Sequence, residues 1–425
     1  MLVKNAFVVS SKAILKADVR VEKGTFVEIS SGLAQKRGEH VVDAAGLFLL
    51  PGLIDSHVHF REPGEENKET FLSGGTAALA GGITTICDMP NNKPPITTVE
   101  ALKAKEKAAK KCPADARFFF GASNDNFADC RAAARDPLVC GLKIYTASTT
   151  GNLLVTDQEK ILRHLKNFPR TKPVVFHAEE ESMVKVFTSI MQHDYAEKAH
   201  AGHHWRGRPT LAATTSIRRL LRLARQADNR SVHFTHVSTG AEAREVSHAK
   251  RHGARATCDT TPNYLFLSAA DGAKIGNNAK LNPPLRSEKE RSELWQVLQR
   301  GEIDCIATDH APHPLAEKKK HYWDAPGGIP GVQTLLPLLL DAVGRHRLRL
   351  QDVVRMCCEN PAQLYGLKGK GFVAKGMDAD FVLVDMSGRK TVRNEDMKSK
   401  AKWTPYDGWK LKGRIAKVFR AGKAA

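Results

Sequence analysis

What most constrains the fold is a recurring type of segment. Short apolar or β-branched runs return along the chain, each closing on a polar cluster and each followed by a stretch of helical periodicity. They are GLFLLPGLID (46–55), GITTICDMP (82–90), ARFFFGAS (116–123), CGLKIYT (140–146), KPVVFHAE (172–179), SVHFTHVS (231–238), ARATCDTTP (254–262) and EIDCIATDHAP (302–312). Between them, segments such as SEKERSELWQVLQRG place Leu294, Trp295, Val297 and Leu298 on one helical stripe. Alternating strands and helices imply parallel βαβ units with both sheet faces covered. Eight strands close a (β/α)8 barrel. A doubly wound sheet should instead show an early glycine phosphate loop, and neither G-x-G-x-x-G after the first strands nor G-x-x-x-x-G-K-[ST] is present. The expected fold is therefore an α/β TIM-type barrel.

The two ends of the chain read differently. NAFVVSS, AILKADVRVE and TFVEISS near the start, and KGFVAKGMDADFVLVD and GRIAKVFRAG near the end, are short strands with too few apolar residues for separate cores. The simplest arrangement is one small β domain built from residues 1–46 and 370–425, flanking a barrel of residues 47–369.

Composition removes several classes of function. At 425 residues with 42% hydrophobic and 26% charged residues, the chain is an ordinary globular sequence. No apolar run nears the roughly 18 residues of a membrane span, and the start lacks a secretory pattern, so the expected compartment is the cytoplasm with no membrane partner. The eight cysteines form no C-x-x-C pair, which argues against zinc ribbons and thioredoxin-like sites. The net charge of +19 raises the question of nucleic acid. Its lysines and arginines, however, spread over helical stretches such as ALKAKEKAAKKC and SIRRLLRLARQA without any recognised binding motif. A solvated basic surface that attracts small anions is the preferred reading.

Barrel function concentrates at the C-terminal strand ends. In DSHVHFREPG (55–64), period-two alternation puts Asp55, His57, His59 and Arg61 on one face if the strand stays regular. H-x-H can bring two imidazoles to one metal, yet alone it is a weak signal, because single strand-end histidines are ordinarily satisfied buried groups. His177 closing VVFH, His236 closing HFTH and Asp309 closing CIATD change the balance. Four imidazoles and a carboxylate suit zinc or a similar divalent ion, and five ligands suit a two-metal centre. Lys143 in GLKIYT ends a further strand; residue chemistry alone makes it an ordinary lysine, while carbamylation by CO2 would make it a bridging anion.

PGLIDSHVHFREPG, MPNN, GLKIYT, FHAE, THVS, NPPLR and TDHAPH, in this order, resemble the dihydroorotases of the amidohydrolase superfamily. NPAQLYGL and KGMDADFVLVD are similar to that superfamily's return into its β domain, so the resemblance spans nearly the whole chain. It implies two divalent ions, usually Zn2+. His57, His59 and Asp309 would hold one, and His177 and His236 the other, with carboxylated Lys143 between them. It implies reversible cyclisation of N-carbamoyl-L-aspartate to L-dihydroorotate in pyrimidine biosynthesis, with Asp309 as general acid and base. Arg61, Asn91 and His313 would bind the substrate carboxylate, and Asn282 and the backbone at Gly327 the ring. Asn263 and Tyr264 stand where many relatives have two histidines, and Asn92 where threonine is common. The glycine-, serine- and threonine-rich ASTTGN (147–152) is a candidate closing loop. Expected partners are a small-molecule substrate, a second copy of the chain, or other enzymes of the pathway.

Two other readings remain open at this level. Another cyclic amidase (dihydropyrimidinase, hydantoinase or allantoinase) would share the metal site but have no use for Arg61. A catalytically silent scaffold relative should lack ligands, whereas every inferred ligand position here carries a suitable residue.

Overall fold

The structure is a computed structural model, describing residues 1–149 and 153–425. The chain begins with β1 (Leu2–Val9), β2 (Ile14–Glu22), β3 (Thr25–Ser30), β4 (Val41–Asp43) and β5 (Phe48–Pro51). It then alternates strand and helix through β6 (Leu53–Val58), β7 (Ile83–Asp88), β8 (Asp115–Gly121) and β9 (Val139–Tyr145). The series continues with β10 (Val174–His177), β11 (Val232–Phe234), β12 (Ala256–Thr260) and β13 (Cys305–Ile306). It ends on β14 (Phe381–Thr391), β15 (Lys410–Arg420) and β16 (Lys423–Ala424).

Strands β6 to β13 form one eight-stranded sheet in sequence order, every neighbouring pair parallel. The seam between β6 and β13 is closed by a parallel bridge from Val58 to His310 and by His59 N–H donating to His310 O at 2.8 Å. Asp55 pins the same seam by accepting from Thr308 N at 3.0 Å and from the Thr308 hydroxyl. All eight expected strands exist. The helices between them bury the predicted stripes: Glu288–Gln299 buries Leu294, Trp295, Val297 and Leu298, and opens on a Ser287–Glu290 capping box.

The termini combine into a second sheet, ordered β16–β15–β14–β5–β1–β2–β3 with β4 also on β1. Its core unites Val3, Val19, Phe26 and Leu49 from one end with Phe381, Leu383 and Phe419 from the other. The run GLFLLPGLID divides between the two sheets. Phe48–Pro51 pairs with β14, and Leu53 begins the barrel. Gly52 marks the crossing, where a Cβ would lie 2.2 Å from Thr84 Oγ1. Only the bare backbone passes there.

Not every basic residue stays on a solvated face. Lys105, in the helix Val99–Ala109, is fully buried and pairs with Asp88 at 2.7 Å. The cysteines are all free, and all but Cys112 are buried. No helix among the described residues is long and apolar enough to cross a membrane. Of the candidate loop ASTTGN, residues 150–152 lie outside the described residues.

Candidate metal centre

Of the residues singled out in the sequence, His57, His59, Arg61, Asn91, His177, His236, Asn282, Asp309 and Gly327 line one pocket at the strand ends. Lys143 and His313 stand just behind its wall. The four imidazoles form a continuous row, with ring centres 5.2 Å apart from His59 to His57, 5.1 Å from His57 to His236 and 4.7 Å from His236 to His177. Asp309 Oδ1 lies 3.1 Å from His59 Nε2 and 3.3 Å from His57 Nε2, so three ligand atoms already converge.

The backbone departs from regular strand at these positions. Arg61, His236 and Asp309 are non-glycine residues with φ of +63°, +44° and +49°. Left-handed backbone costs such residues roughly 1 kcal/mol or more each and collects at functional sites. The alternation expected for Asp55, His57, His59 and Arg61 therefore holds only to Val58, where β6 ends. Asp55 points into the barrel seam, and Arg61 reaches the pocket through a turn.

For two of the four rings, an acceptor on the outer nitrogen fixes which nitrogen carries the proton. His59 donates Nδ1–H to Asn91 Oδ1 at 2.6 Å. Its Nε2 lone pair then faces the Asp309 carboxylate, an acceptor opposite an acceptor. His177 donates Nε2–H to Glu179 at 2.8 Å, leaving Nδ1 as a lone pair 3.0 Å from His236 Nε2. Nδ1 of His57 and of His236 is buried without a partner among the described residues. Burial lowers the pKa of all four imidazoles, and His57 and His236 lie well below the usual range with Lys143 adding to the effect. Buried, neutral imidazoles with inward lone pairs around a carboxylate are a donor set that fits divalent cations, and outer carboxylate or amide partners are the usual supports of such ligands.

Several supports of these rings are not marked as such by any motif in the sequence. Glu179 is fully buried; burial opposes its charge, but Arg208 and the His177 N–H hold its carboxyl well below the usual range. Arg208 grips it through Nε and Nη2, at 3.1 and 2.6 Å. Glu179 was legible in principle, since FHAE repeats histidine and acid at period two. Arg208 had no signal, arriving from a distant helix start. Asp259 accepts from His236 N at 2.5 Å and sets the turn that presents that ring. Tyr145 lines the pocket with a buried hydroxyl that has no partner among the described residues.

Lys143 is completely buried, donates to Thr235 Oγ1 at 2.8 Å, and is pushed down to about 7 by burial. Arg61 is 3% exposed, and among the described residues only its Nη2 is engaged, donating to His313 Nε2 at 3.2 Å. Arg61 Nε and Nη1 have no partner among the described residues. His313 in turn donates Nδ1–H to Glu317 at 3.0 Å, so it supports the guanidinium from behind. Asn263 accepts from the Tyr406 hydroxyl, and Tyr264 donates to Pro283 O at 2.7 Å, steadying the loop that carries Asn282.

Histidines and a carboxylate that could hold a metal ion at the mouth of such a barrel suit one class of protein, and the sequence as a whole agrees with it: residues 48–425 match the Amidohydrolase family, and the chain belongs to that family. Divalent metal ions are general to it. Within the family, this chain is 34% identical over 416 residues to the dihydroorotase of Methanosarcina acetivorans, covering 96% of this chain and 88% of the relative. It is 38% identical over 375 residues to the dihydroorotase of Halobacterium salinarum, covering 87% and 85% respectively. Among solved structures, the L-hydantoinase (dihydropyrimidinase) of Arthrobacter aurescens superposes with a TM-score of 0.96 at 28% identity. The match covers all of this chain and 95% of that one.

Proposed function

We propose that this amidohydrolase interconverts L-dihydroorotate and N-carbamoyl-L-aspartate. The observation that carries the reading is Arg61: a buried cation with two unspent donors, on the wall of the pocket that holds the histidines and Asp309. A neutral cyclic amide would leave that cation unpaired, whereas a ring carboxylate accepts paired hydrogen bonds from it. The curated relatives' activity supports the same choice over the hydantoinase reading.

His57, His59 and Asp309 would hold one divalent ion, most simply Zn2+, and His177 and His236 the other. Lys143, whose buried amine has a lowered pKa, would add CO2 to become an anionic carbamate, releasing one proton, and would then offer carboxylate oxygens to the ions. When bound, such ions supply Lewis acidity that polarises a carbonyl and makes water a better nucleophile. The chain's own residues do the rest. Arg61 holds the substrate carboxylate with His313 behind it, Asn91 Oδ1 and Glu179 keep His59 and His177 in their ligating tautomers, and Asn282 and Gly327 border the ring. Asp309 takes a proton from the attacking water and delivers it to the ring nitrogen as the C–N bond breaks; ring closure reverses both transfers and releases water.

The free cysteines suit a reducing compartment, which supports a cytoplasmic enzyme of pyrimidine biosynthesis. Self-association, or association with other enzymes of that pathway, completes the proposal and is read by sedimentation. The central test is dihydroorotate hydrolysis with metal quantification on the wild type and on Asp309→Asn. Metal and turnover are expected in the wild type, with a loss of about 10²–10⁴-fold in kcat in the variant. A fully active Asp309→Asn enzyme sinks the mechanism, and a metal-free active wild type sinks the site.

A further inference from the structure

Beside the catalytic pocket lies a vestibule of about 400 Å³ walled by His204, Arg208, Lys280 and Tyr322. Asn282 and Gly327 border both spaces, so Asn282 stands at the throat between them. Its Oδ1 is 2.7 Å from His204 Nε2, and His204 Nδ1 is 2.6 Å from the Tyr322 hydroxyl. Burial, with Lys280 and Arg208 close by, pushes His204 down to about 3, so the ring is neutral and has a single N–H. With Nε2–H donating to Asn282 Oδ1, Nδ1 must accept, and Tyr322 must donate to it. The competing acceptor for that hydroxyl, Met191 Sδ, is 4.0 Å away. Tyr322 is itself fixed, because Lys280 donates to its carbonyl at 2.6 Å and to Ala325 O at 2.7 Å while sitting 4.4 Å over its ring.

The amide oxygen of Asn282 is thereby spent. Nδ2 has no partner among the described residues, and it lies toward Gly327, where a Cβ would come within 3.2 Å of it. An unconstrained amide could flip to meet a donor or an acceptor equally well. We infer that Tyr322 and His204 are positioning residues that lock the Asn282 amide with its NH2 turned to the pocket, so that this position selects a carbonyl on the substrate ring. The inference rests on the dihydroorotase reading, in which the selected group is the carbonyl between the two ring nitrogens, the one that is not attacked. A ring N–H there would meet donor with donor, and buried mismatches of that kind discriminate strongly.

The test is steady-state kinetics of the metal-loaded full chain with dihydroorotate and with its analogue carrying a thiocarbonyl, a poorer acceptor, between the ring nitrogens. His204→Ala is expected to raise KM about tenfold, the worth of one such hydrogen bond, with kcat and metal content little changed. Tyr322→Phe, nearly isosteric, should raise KM severalfold and carries the test if His204→Ala folds poorly. His204→Gln, which restores an N–H donor, should recover part of the loss. In an Asn282→Ala background neither substitution should add anything, and the preference for dihydroorotate over the thio analogue should shrink in each single variant. Equal KM increments with and without Asn282, or an unchanged thio preference, overturn the relay. A wild type that turns over no dihydroorotate overturns the reading beneath it as well, and is told apart by that first measurement.

Discussion

Arg61 shows what one residue can decide. The histidines fix a metal-dependent hydrolase, but the same imidazoles would serve any cyclic amide, and only the guanidinium asks for an anion. Arg61→Ala should lower kcat/KM for dihydroorotate by about 30- to 5000-fold, the range for truncating one side of a buried charged pair, while metal content holds. Elemental analysis and initial rates check this, and unchanged rates would remove the carboxylate site. The sequence placed Arg61 beside His59 by strand alternation. The structure places it there by a left-handed turn after the strand has ended, so the neighbourhood was legible and its geometric cause was not. Glu179 and Asn91 illustrate the same limit. Their types were visible in FHAE and MPNN, but which ring nitrogen each would hold depends on distances that no spacing encodes.

At the scale of elements, the eight strands were readable because each joins a β-branched run to a polar end, and burial on both faces demands that pattern. The loops were not. Residues Ala325–Gly328, which include part of the pocket wall, are held by two buried lysines that donate to backbone carbonyls. Lys318 Nζ reaches Lys280 O at 3.1 Å, Pro326 O at 2.9 Å and Gly328 O at 3.0 Å. Nothing in EKKKH marks one of three lysines as interior. Burial, with Lys280 nearby, pushes Lys318 down to about 7. Between about 7 and the ordinary 10.5, the unfolded chain binds a proton here that the folded chain does not, so stability from this group rises with pH across that window. Below about 7 both states are protonated and its penalty is constant. The stability of wild type relative to Lys318→Met should therefore increase from pH 7 to pH 10, by at most about 1.4 kcal/mol per pH unit. Urea midpoints at several pH values check it, and a flat difference would refute it.

At the scale of the molecule, barrel and terminal sheet are joined by a charge cluster at the end of the barrel opposite the metal site. Lys370 pairs with Asp378 at 2.8 Å, with Asp380 at 2.7 Å and with Asp115 at the start of β8, and Arg420 from β15 also pairs with Asp115. The three carboxylates approach closely enough to suggest a cation site, and Lys370 is the cation they hold. Lys370→Met should cost about 2–3 kcal/mol, less than a wholly buried pair because Asp115 and Asp378 remain partly in water. KM and metal content should not move; denaturant titration alongside kinetics checks both, and an altered KM would mean the cluster reaches the active site. That both termini share one sheet was legible from their thin apolar content. That β5 rather than the barrel takes Phe48–Pro51 was not, since an apolar run does not announce its partner.

The pairing of β5 with β14 also sets an order in time. On a ribosome, Phe48–Pro51 emerges before any barrel strand, yet its partner Phe381–Val384 is made only after the last one. At typical synthesis rates the wait is on the order of half a minute. Throughout it Val3, Phe26 and Leu49 have no Phe381 or Phe419 to pack against. The terminal sheet, begun before the barrel, is thus completed only after it, and its uncovered strands are what a nascent-chain chaperone would meet.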